Sequence, residues 1–207
     1  MVKQSKEKQL EKLKQECTKF FDELYRPDKK ILVFGEGNPN ARLLLVGEAP
    51  GKQETLQRRP FVCQAGKNLD EFLQVVGLER EDLYITNVVK FRPFKLNEKT
   101  GRTSNRPPTR EEIELSRGWL YKEIEIIKPM VVVSLGNVAL QAITNDRSKT
   151  IGQVHGTPMN IQVGESGFAT ILFPLYHPAS VIYRKGLKDT YLKDLRALRE
   201  YLNGKYI

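Results

Sequence analysis

Residues 43–51 have the sequence LLLVGEAPG, an uninterrupted apolar run that passes directly into a turn containing glycine and proline. Four consecutive aliphatic residues, Leu43 to Val46, are typical of a strand covered on both faces, because a half-exposed strand alternates apolar with polar residues. The turn carries one carboxylate, Glu48, just after this strand. Ligands bind at the carboxyl ends of strands in open α/β sheets, so this turn is the first candidate site.

Three further apolar runs follow, and segments with helical spacing lie between them. The runs occupy residues 83–89, 130–135 and 169–173. The helical patterns occupy residues 69–76, 113–127, 138–143 and 188–202. This alternation predicts an α/β fold, with a parallel sheet and helices on both of its faces.

Three other segments complete the organisation of the chain. Residues 3–25 have one apolar helical face, so we expect an N-terminal helix, residues 1–25, docked on a single domain that spans residues 1–207. The segments 159–163 and 168–173 flank a Gly-Glu-Ser-Gly turn and predict a hairpin. Residues 91–109 form a long, basic, polar loop, and loops of this length are usually functional or disordered.

The composition limits the class of protein. The chain has 207 residues, a formal charge of +9 and 40% hydrophobic residues, which suits one compact domain with its own core. No apolar run reaches the roughly 18 residues that cross a bilayer, and the charged start differs from a secretory signal. We therefore expect a cytoplasmic protein without membrane contact. The basic excess fits a polyanionic partner and simple solubility equally well.

Polar residues follow each apolar run at the point where its strand is predicted to end. These residues are Glu48, Asn87, Gly136, Asn137 and His177. Because parallel strands end at one edge of a sheet, we expect a carboxylate, an amide and an imidazole to converge there. Each residue taken alone also suits a cap or a turn. The first turn matches neither the dinucleotide-binding nor the P-loop pattern, so those two classes are not supported.

Six short motifs occur in order along the chain. They are GEAPGKQE (47–54), RRPFVCQAG (58–66), TNVVKFRP (86–93), SNRPPT (104–109), VSLGNVA (133–139) and LYHPAS (175–180). Together they resemble the uracil-DNA glycosylase superfamily, and family 4 is the branch they resemble most. The resemblance covers residues 31–200. It implies a three-layer α/β/α sandwich with a central four-stranded parallel sheet, in an enzyme that excises uracil from DNA and so initiates base excision repair.

The resemblance also assigns roles to single residues. Glu48 matches the carboxylate that positions water or stabilises the cationic sugar, and His177 matches the histidine that faces uracil O2. Asn87 matches the amide that reads the base edge, and Phe61 the ring that stacks on uracil. Further residues expected in the uracil pocket are Gly47, Ala49, Pro50, Gly51 and Glu54.

The chemistry of uracil explains these residue types. Uracil presents an N3 donor beside an O4 acceptor, so the amide of Asn87 can answer both, whereas cytosine presents the opposite pattern. Cleavage leaves charge on uracil O2 and an oxocarbenium-like sugar. A donor from His177 and a carboxylate from Glu48 therefore lower the same barrier from opposite ends.

A base inside a duplex must be extruded before it can react, and a side chain must fill the gap. Val181, Ile182 and Tyr183 follow the HPAS turn and are wedge candidates, although Val181 and Ile182 suit a core role equally well. Arg184 and Lys185 are expected on phosphates. Other expected DNA contacts are Arg58, Arg59, Lys90, Arg92, Arg102, Asn105, Arg106 and Ser180.

The chain departs from the family 4 pattern at its cysteines. Members of family 4 usually hold a four-iron iron–sulfur cluster on four cysteines, whereas this chain has Phe91 and Ser116 at two of those positions. Cys17 matches an N-terminal ligand position without a second, and Cys63 belongs to the pocket segment. We therefore predict no iron–sulfur cluster, no other cofactor and no metal. The residues expected to fill the space are Phe91, Phe94 and Trp119.

Two other functions remain compatible with the residues. One keeps the chemistry and changes the base to hypoxanthine or xanthine. The other is a non-catalytic DNA-binding or polymerase-accessory module on the same fold. The expected partner is uracil-containing DNA, single- or double-stranded, and the expected state is a monomer.

Overall fold

The computed structural model of the protein describes residues 4–183 and 185–206, without the side chains of residues 182, 183, 185, 205 and 206. Arg184, an expected phosphate contact, lies outside the described residues. The side chains of Ile182, Tyr183 and Lys185 also lie outside them. The expected wedge and phosphate roles of these residues stay predictions.

Helices and strands alternate along most of the chain. The helices are α1 (Lys6–Leu24), α2 (Lys52–Gln57), α3 (Cys63–Val76), α4 (Arg110–Ile127), α5 (Gly136–Thr144), α6 (Ile151–Val154), α7 (Pro178–Tyr183) and α8 (Lys188–Tyr206). The strands are β1 (Glu36–Gly37), β2 (Leu43–Gly47), β3 (Leu83–Asn87), β4 (Phe94–Leu96), β5 (Thr103–Asn105), β6 (Val131–Leu135), β7 (Met159–Val163) and β8 (Phe168–Leu175). Short 3-10 turns span Arg80–Asp82 and Lys185–Leu187.

The main sheet has the strand order β1-β3-β2-β6-β8-β7. Its four central strands are parallel, and the outer strands β1 and β7 pair antiparallel with their neighbours. The expected four-stranded parallel sheet and the hairpin before α7 are therefore confirmed. In the pairing of β2 with β3, Gly47 lies opposite Asn87. The carboxyl ends of these two strands are therefore side by side, and both carry candidate site residues.

Each face of the sheet covers its own hydrophobic core, as the unbroken aliphatic runs predict. Leu44 and Val46 of β2 belong to the core shared with α1, α4 and α5, whereas Leu43 and Leu45 belong to the core shared with α3 and α8. Alternate residues of a strand point to opposite faces, so β2 contributes to both layers. The result is a three-layer α/β/α sandwich. Among the described residues, no helix is long and apolar enough to span a bilayer.

The short elements differ from the sequence-based expectations. Within the expected loop of residues 91–109, β4 and β5 pair as a two-stranded hairpin whose residues are all exposed. Exposed strands of three residues carry no burial pattern, so periodicity could not predict them. The helices α2, α6 and α7, with four to six residues each, are too short to show a helical repeat.

A candidate active site at the carboxyl ends of the strands

A cleft of about 550 Å³ lies where the central parallel strands end. The residues predicted from sequence that line it are Glu48, Ala49, Pro50, Asn105, Arg106, Gly136, Asn137, His177 and Ser180. They come from four separate parts of the chain, and the sheet topology brings them together. The convergence expected from the strand ends is thus present for the carboxylate and the imidazole.

Glu48 is fixed by its backbone and leaves its carboxylate available. The main-chain oxygens of Gly47 and Glu48 accept hydrogen bonds from the N–H groups of Val88 and Val89, both at 3.0 Å. These bonds join the ends of β2 and β3. The Glu48 carboxylate has no hydrogen bond or ion pair to another described residue, and burial raises its pKa. A half-buried carboxylate without a counter-ion is well suited to stabilise a cation that develops nearby.

His177 is held as a neutral donor by the backbone of α7. Its Nδ1 accepts a hydrogen bond from the Ala179 N–H at 3.2 Å, which places the imidazole proton on Nε2. Burial lowers the pKa of His177, in agreement with a neutral ring. Gly136 approaches it closely, since a β-carbon at this position would lie 3.2 Å from His177 Cβ at a φ of +83°. The backbone geometry at Gly136 favours glycine.

Asn87 and Phe61 meet over Gly47, the residue before Glu48. A β-carbon on Gly47 would clash with Asn87 Oδ1 and would lie 2.7 Å from Phe61 Cζ. Asn87 is only 3% exposed, and its side-chain amide forms no hydrogen bond with another described residue, although its two polar atoms are not fully enclosed. Buried amides are normally paired. The amide of Asn87 is therefore ready for a ligand with complementary donors and acceptors.

Phe61 is held by residues that sequence reasoning did not identify. It has a φ of 51°, in the left-handed region that non-glycine residues seldom adopt. Arg80 donates to the main-chain oxygens of Phe61 and Pro60 at 3.1 and 2.8 Å, and to Glu36 at 2.9 Å. Arg80 follows α3 in a charged turn, which gives no sequence signal for this clamp. It fixes the ring position through the backbone.

Glu54 binds backbone groups beside the pocket. Its carboxylate accepts hydrogen bonds from the N–H groups of Gly51 at 3.1 Å and Val62 at 3.2 Å, and it is 8% exposed. Both oxygens are thus used within the protein. Glu54 connects the turn after β2 to the loop that carries Phe61 and so positions the pocket, and its direct contact with the base stays a prediction.

The expectation that Lys90 contacts a phosphate is wrong. Its side chain is 0% exposed and forms an ion pair with Glu123 inside the molecule. Its ammonium group also donates to Thr86 Oγ1 at 2.8 Å and to the main-chain oxygen of Asn87 at 2.7 Å. A lysine three residues after a pocket asparagine looked like a surface cation, and only the three-dimensional packing reveals its buried partner.

Several other expected DNA contacts are bound within the protein. Arg106 forms two hydrogen bonds of 2.7 Å with Glu112, although it still lines the cleft. The Arg59 guanidinium likewise donates two hydrogen bonds to the Glu36 carboxylate, at 2.9 and 3.0 Å. Arg92 donates to Asn105 Oδ1 at 2.7 Å and so holds that residue at the cleft.

The remaining expected contacts divide between surface and core. Arg58 and Arg102 are exposed, as is Ser180 at the cleft, and these three keep their predicted DNA-binding roles. Val181 is 9% exposed and packs in the core beside α3 and α8, so its expected role as a wedge is wrong. The residues after a tight turn can face either way, and the sequence left both options open.

The residues at the expected cluster positions do not fit an iron–sulfur cluster. Cys17 is fully buried, and Phe91 and Ser116 occupy two of the positions where a cluster would need further cysteines. Phe91 packs between Phe21 and Tyr25, at ring-centroid distances of 5.4 Å to both. The described residues contain no group of three or more His, Cys, Asp or Glu side chains placed to hold a metal. Phe94, expected to fill this space, is instead 43% exposed.

Comparison with known proteins gives a consistent result over most of the chain. A family model described as the Uracil DNA glycosylase superfamily matches residues 34–200. A Type-4 uracil-DNA glycosylase from Archaeoglobus fulgidus is 40% identical over 180 residues, which cover 86% of this chain and 85% of that protein. Similar proteins of the same name come from Saccharolobus solfataricus (34% over 183 residues, 86% of this chain and 80% of that protein) and Thermotoga maritima (36% over 173 residues, 83% of each).

Proposed function

Because the chain belongs to the uracil DNA glycosylase superfamily, we propose that it excises uracil from DNA by hydrolysing the N-glycosidic bond, as the first step of base excision repair. The observation that carries this function is the unpaired amide of the largely buried residue Asn87, beside the ring of Phe61 and next to a cleft that holds Glu48 and His177. An unpaired amide in such a place needs a ligand with an adjacent donor and acceptor.

The amide of Asn87 selects the base. Its Oδ1 accepts the N3 proton of uracil while its Nδ2 donates to O4, and the ring of Phe61 covers one face of the base. Cytosine would present an acceptor at N3 and an amino donor at C4. The amide oxygen would then face an acceptor and the amide nitrogen a donor, so neither hydrogen bond could form. Unpaired buried polar groups of this sort allow discrimination of about 10⁴-fold or more.

Glu48 and His177 act on the two products of bond cleavage. The bond between uracil N1 and C1′ breaks with its electrons on the base, and the Nε2–H of His177 donates to the charge that develops on O2. The Glu48 carboxylate stabilises the sugar cation and orients the water that attacks C1′. Its half-buried position strengthens the attraction, because few water molecules screen the charge.

DNA must present the nucleotide outside the helix to reach this cleft, so we propose that the enzyme extrudes the uracil. Exposed Arg58 and Arg102, with Ser180 at the cleft, are the remaining described contacts for the DNA strand. We further propose that it acts as a monomer in the cytoplasm. A single peak at the monomer mass in light scattering, with and without DNA, supports the oligomeric state, and a dimer peak contradicts it.

The proposed enzyme works without an iron–sulfur cluster. Buried rings around Phe91 occupy the region where three further cysteines would be needed beside Cys17. Protein purified without oxygen should therefore contain less than about 0.1 iron per chain and show no absorbance near 400 nm. Stoichiometric iron contradicts this part of the proposal without affecting the roles of Glu48 and His177.

The direct test of the function is incubation with single- and double-stranded oligonucleotides that contain one deoxyuridine, followed by alkali. Strand breaks at the uracil position support the proposal. A parallel set of oligonucleotides with hypoxanthine or xanthine at the same position shows whether the enzyme acts on one of these bases instead of uracil. Binding without breaks on any lesion, by protein of native circular dichroism, indicates the non-catalytic module instead.

A further inference from the structure

The hairpin formed by β4 and β5 has no core to stabilise it and borders the cleft. We name residues 94–105 the hairpin arm. Phe94 is 43% exposed and Leu96 is 57% exposed, and every residue of both strands is exposed. Two-stranded hairpins are only marginally stable alone in water. Large apolar side chains on such an element usually mark a contact surface.

The register of the hairpin arm shows which way its apolar face points. Phe94 lies opposite Asn105, and Leu96 lies opposite Thr103. Residues directly opposite each other in an antiparallel pair project to the same face. Asn105 also lines the cleft, whereas Phe94 lines a separate cavity with Lys30 and Arg92, so this face of the arm lies beside the cleft.

Hydrogen bonds at the base of the arm fix its direction relative to the cleft. Arg92 donates to Asn105 at 2.7 Å and to Thr103 at 3.2 Å. Arg106 donates from its backbone N–H to the Pro93 oxygen and from its Nε to the Phe94 oxygen, both at 3.2 Å. The Arg106 guanidinium is in turn held at the start of α4 by Glu112. The arm is therefore oriented before any ligand binds.

The charges of the arm and its base favour a polyanion. Residues 92–106 contain five basic residues and only one acidic residue, Glu98. The guanidinium of Arg92 lies 5.5 Å from the Phe94 ring centroid, and the ammonium of Lys30 lies 5.9 Å from it. An exposed ring flanked by cations is the combination that binds single-stranded nucleic acid, because bases stack on the ring and phosphates meet the cations.

We infer that the hairpin arm binds the single-stranded DNA next to the extruded nucleotide, with Phe94 and Leu96 contacting unstacked bases and with Lys30 beside the Phe94 ring and Lys99 and Arg102 near the turn contacting phosphates. This inference rests on the proposed function, since it takes the cleft to be the site of the extruded base. If a protein bound the same face instead, its surface would need acidic side chains, and binding would not depend on unstacked bases. The arm extends the DNA-binding surface beyond the cleft.

Two variants test the apolar and charged parts of the arm separately. The first is Phe94→Ser with Leu96→Ser, and its control is Met130→Ser, which alters a 40% exposed side chain just before β6, at the opposite end of that strand from the cleft. The second replaces Lys30, Lys99 and Arg102 with glutamine. Its control replaces three exposed lysines of α1 with glutamine, namely Lys8, Lys14 and Lys19.

The measurement is the Kd for a fluorescent 20-mer without uracil, as a single strand and as a duplex, at several salt concentrations. The apolar variant should raise the single-strand Kd by about 5- to 150-fold and the duplex Kd by less. The charge variant should reduce the slope of log K against log salt by about 2 for the single strand. Both controls should bind like the unaltered protein.

Other outcomes overturn the inference. An unchanged single-strand Kd in the apolar variant, with native circular dichroism, shows that the arm does not stack on bases. An equal or larger loss on the duplex shows that the arm contacts paired DNA instead. Because this oligonucleotide contains no uracil, the result is independent of whether the protein excises uracil, which the alkali assay decides.

Discussion

At the scale of single residues, the site depends on Gly47. Any side chain there would displace the amide of Asn87 or the ring of Phe61. The sequence predicted Glu48, Phe61, Asn87 and His177 as site residues because each follows a strand or lies in a recognisable motif. It could not predict that Arg80 holds the Phe61 backbone or that Lys90 is buried, since their partners lie far away along the chain.

Removing either group that acts on the breaking bond should slow the reaction strongly. We expect Glu48→Gln and His177→Ala each to lower the single-turnover excision rate by about 100- to 1,000-fold, the typical loss for one stabilising contact in the transition state. The DNA dissociation constant should change less than about threefold. Rapid-quench kinetics measures the rates, and Glu165→Gln, in the exposed turn before β8, is the control.

Unchanged rates in both variants would remove the assigned mechanism. A loss confined to one variant would contradict only the role of that residue. Equal losses in DNA binding and in rate would instead indicate a general structural defect.

The pH dependence of the rate should report the Glu48 carboxylate. Burial raises its pKa, so the ionised form is lost at a higher pH than for an exposed glutamate, and the rate falls as the pH drops through this raised pKa. Burial lowers the pKa of His177, so its neutral, donating form extends to a lower pH than in an exposed histidine. Single-turnover rates between about pH 4 and pH 8 should show an acidic limb that depends on Glu48. The same limb in Glu48→Gln would assign it to another group.

Lys90 should act as a positioning residue for Asn87, whose main-chain oxygen it binds at 2.7 Å. Lys90→Met alone would leave Glu123 charged and buried, at a cost of about 3–5 kcal/mol in stability. The double variant Lys90→Met with Glu123→Leu removes both charges and should fold. We expect it to lower kcat for uracil at least about tenfold with little change in KM, because the amide loses its fixed backbone.

Steady-state kinetics on a uracil-containing single strand checks this expectation. A folded double variant with the kcat of the unaltered protein would show that the ion pair serves stability alone. Lys90→Arg is a useful companion, because it keeps the charge and should recover part of kcat if positioning is the role.

At the scale of elements, length and burial decided what could be predicted. The four central strands and the long helices were predicted because each buries a continuous or periodic apolar surface. Strand β1, with two residues, and the exposed strands β4 and β5 lack such a pattern, so they appeared as loop. The hairpin arm shows that a segment without a hydrophobic pattern can still be ordered by hydrogen bonds at its base.

A buried hydroxyl in α4 makes a prediction about stability. Ser116 of α4 is fully buried, and its hydroxyl has no hydrogen-bond partner within the described structure. Ser116→Ala removes an unsatisfied polar group and should raise the free energy of unfolding by about 1 kcal/mol. Urea denaturation measures the change, with excision activity expected to stay the same. A lower free energy of unfolding would mean that the hydroxyl is satisfied in solution.

At the scale of the whole molecule, the parallel sheet is what brings the four site residues together. They come from β3, from the loops after β2 and α2, and from the turn between β8 and α7, and adjacent strand ends place them at one edge. Ion pairs bind several arginines of the basic surface to carboxylates, including Arg59, Arg80 and Arg106. These pairs use carboxylates as well as arginines, so the excess of nine positive charges remains, and the hairpin arm holds three basic residues, Lys95, Lys99 and Arg102.

The central claim is that these four side chains enclose one uracil, and a crystal structure of Glu48→Gln bound to deoxyuridine-containing DNA tests it most directly. We expect the amide of Asn87 within about 3 Å of uracil N3 and O4, the ring of Phe61 stacked on the base, and His177 Nε2 within about 3 Å of O2. A uracil bound elsewhere, or bound here with Asn87 facing away from it, would contradict the account.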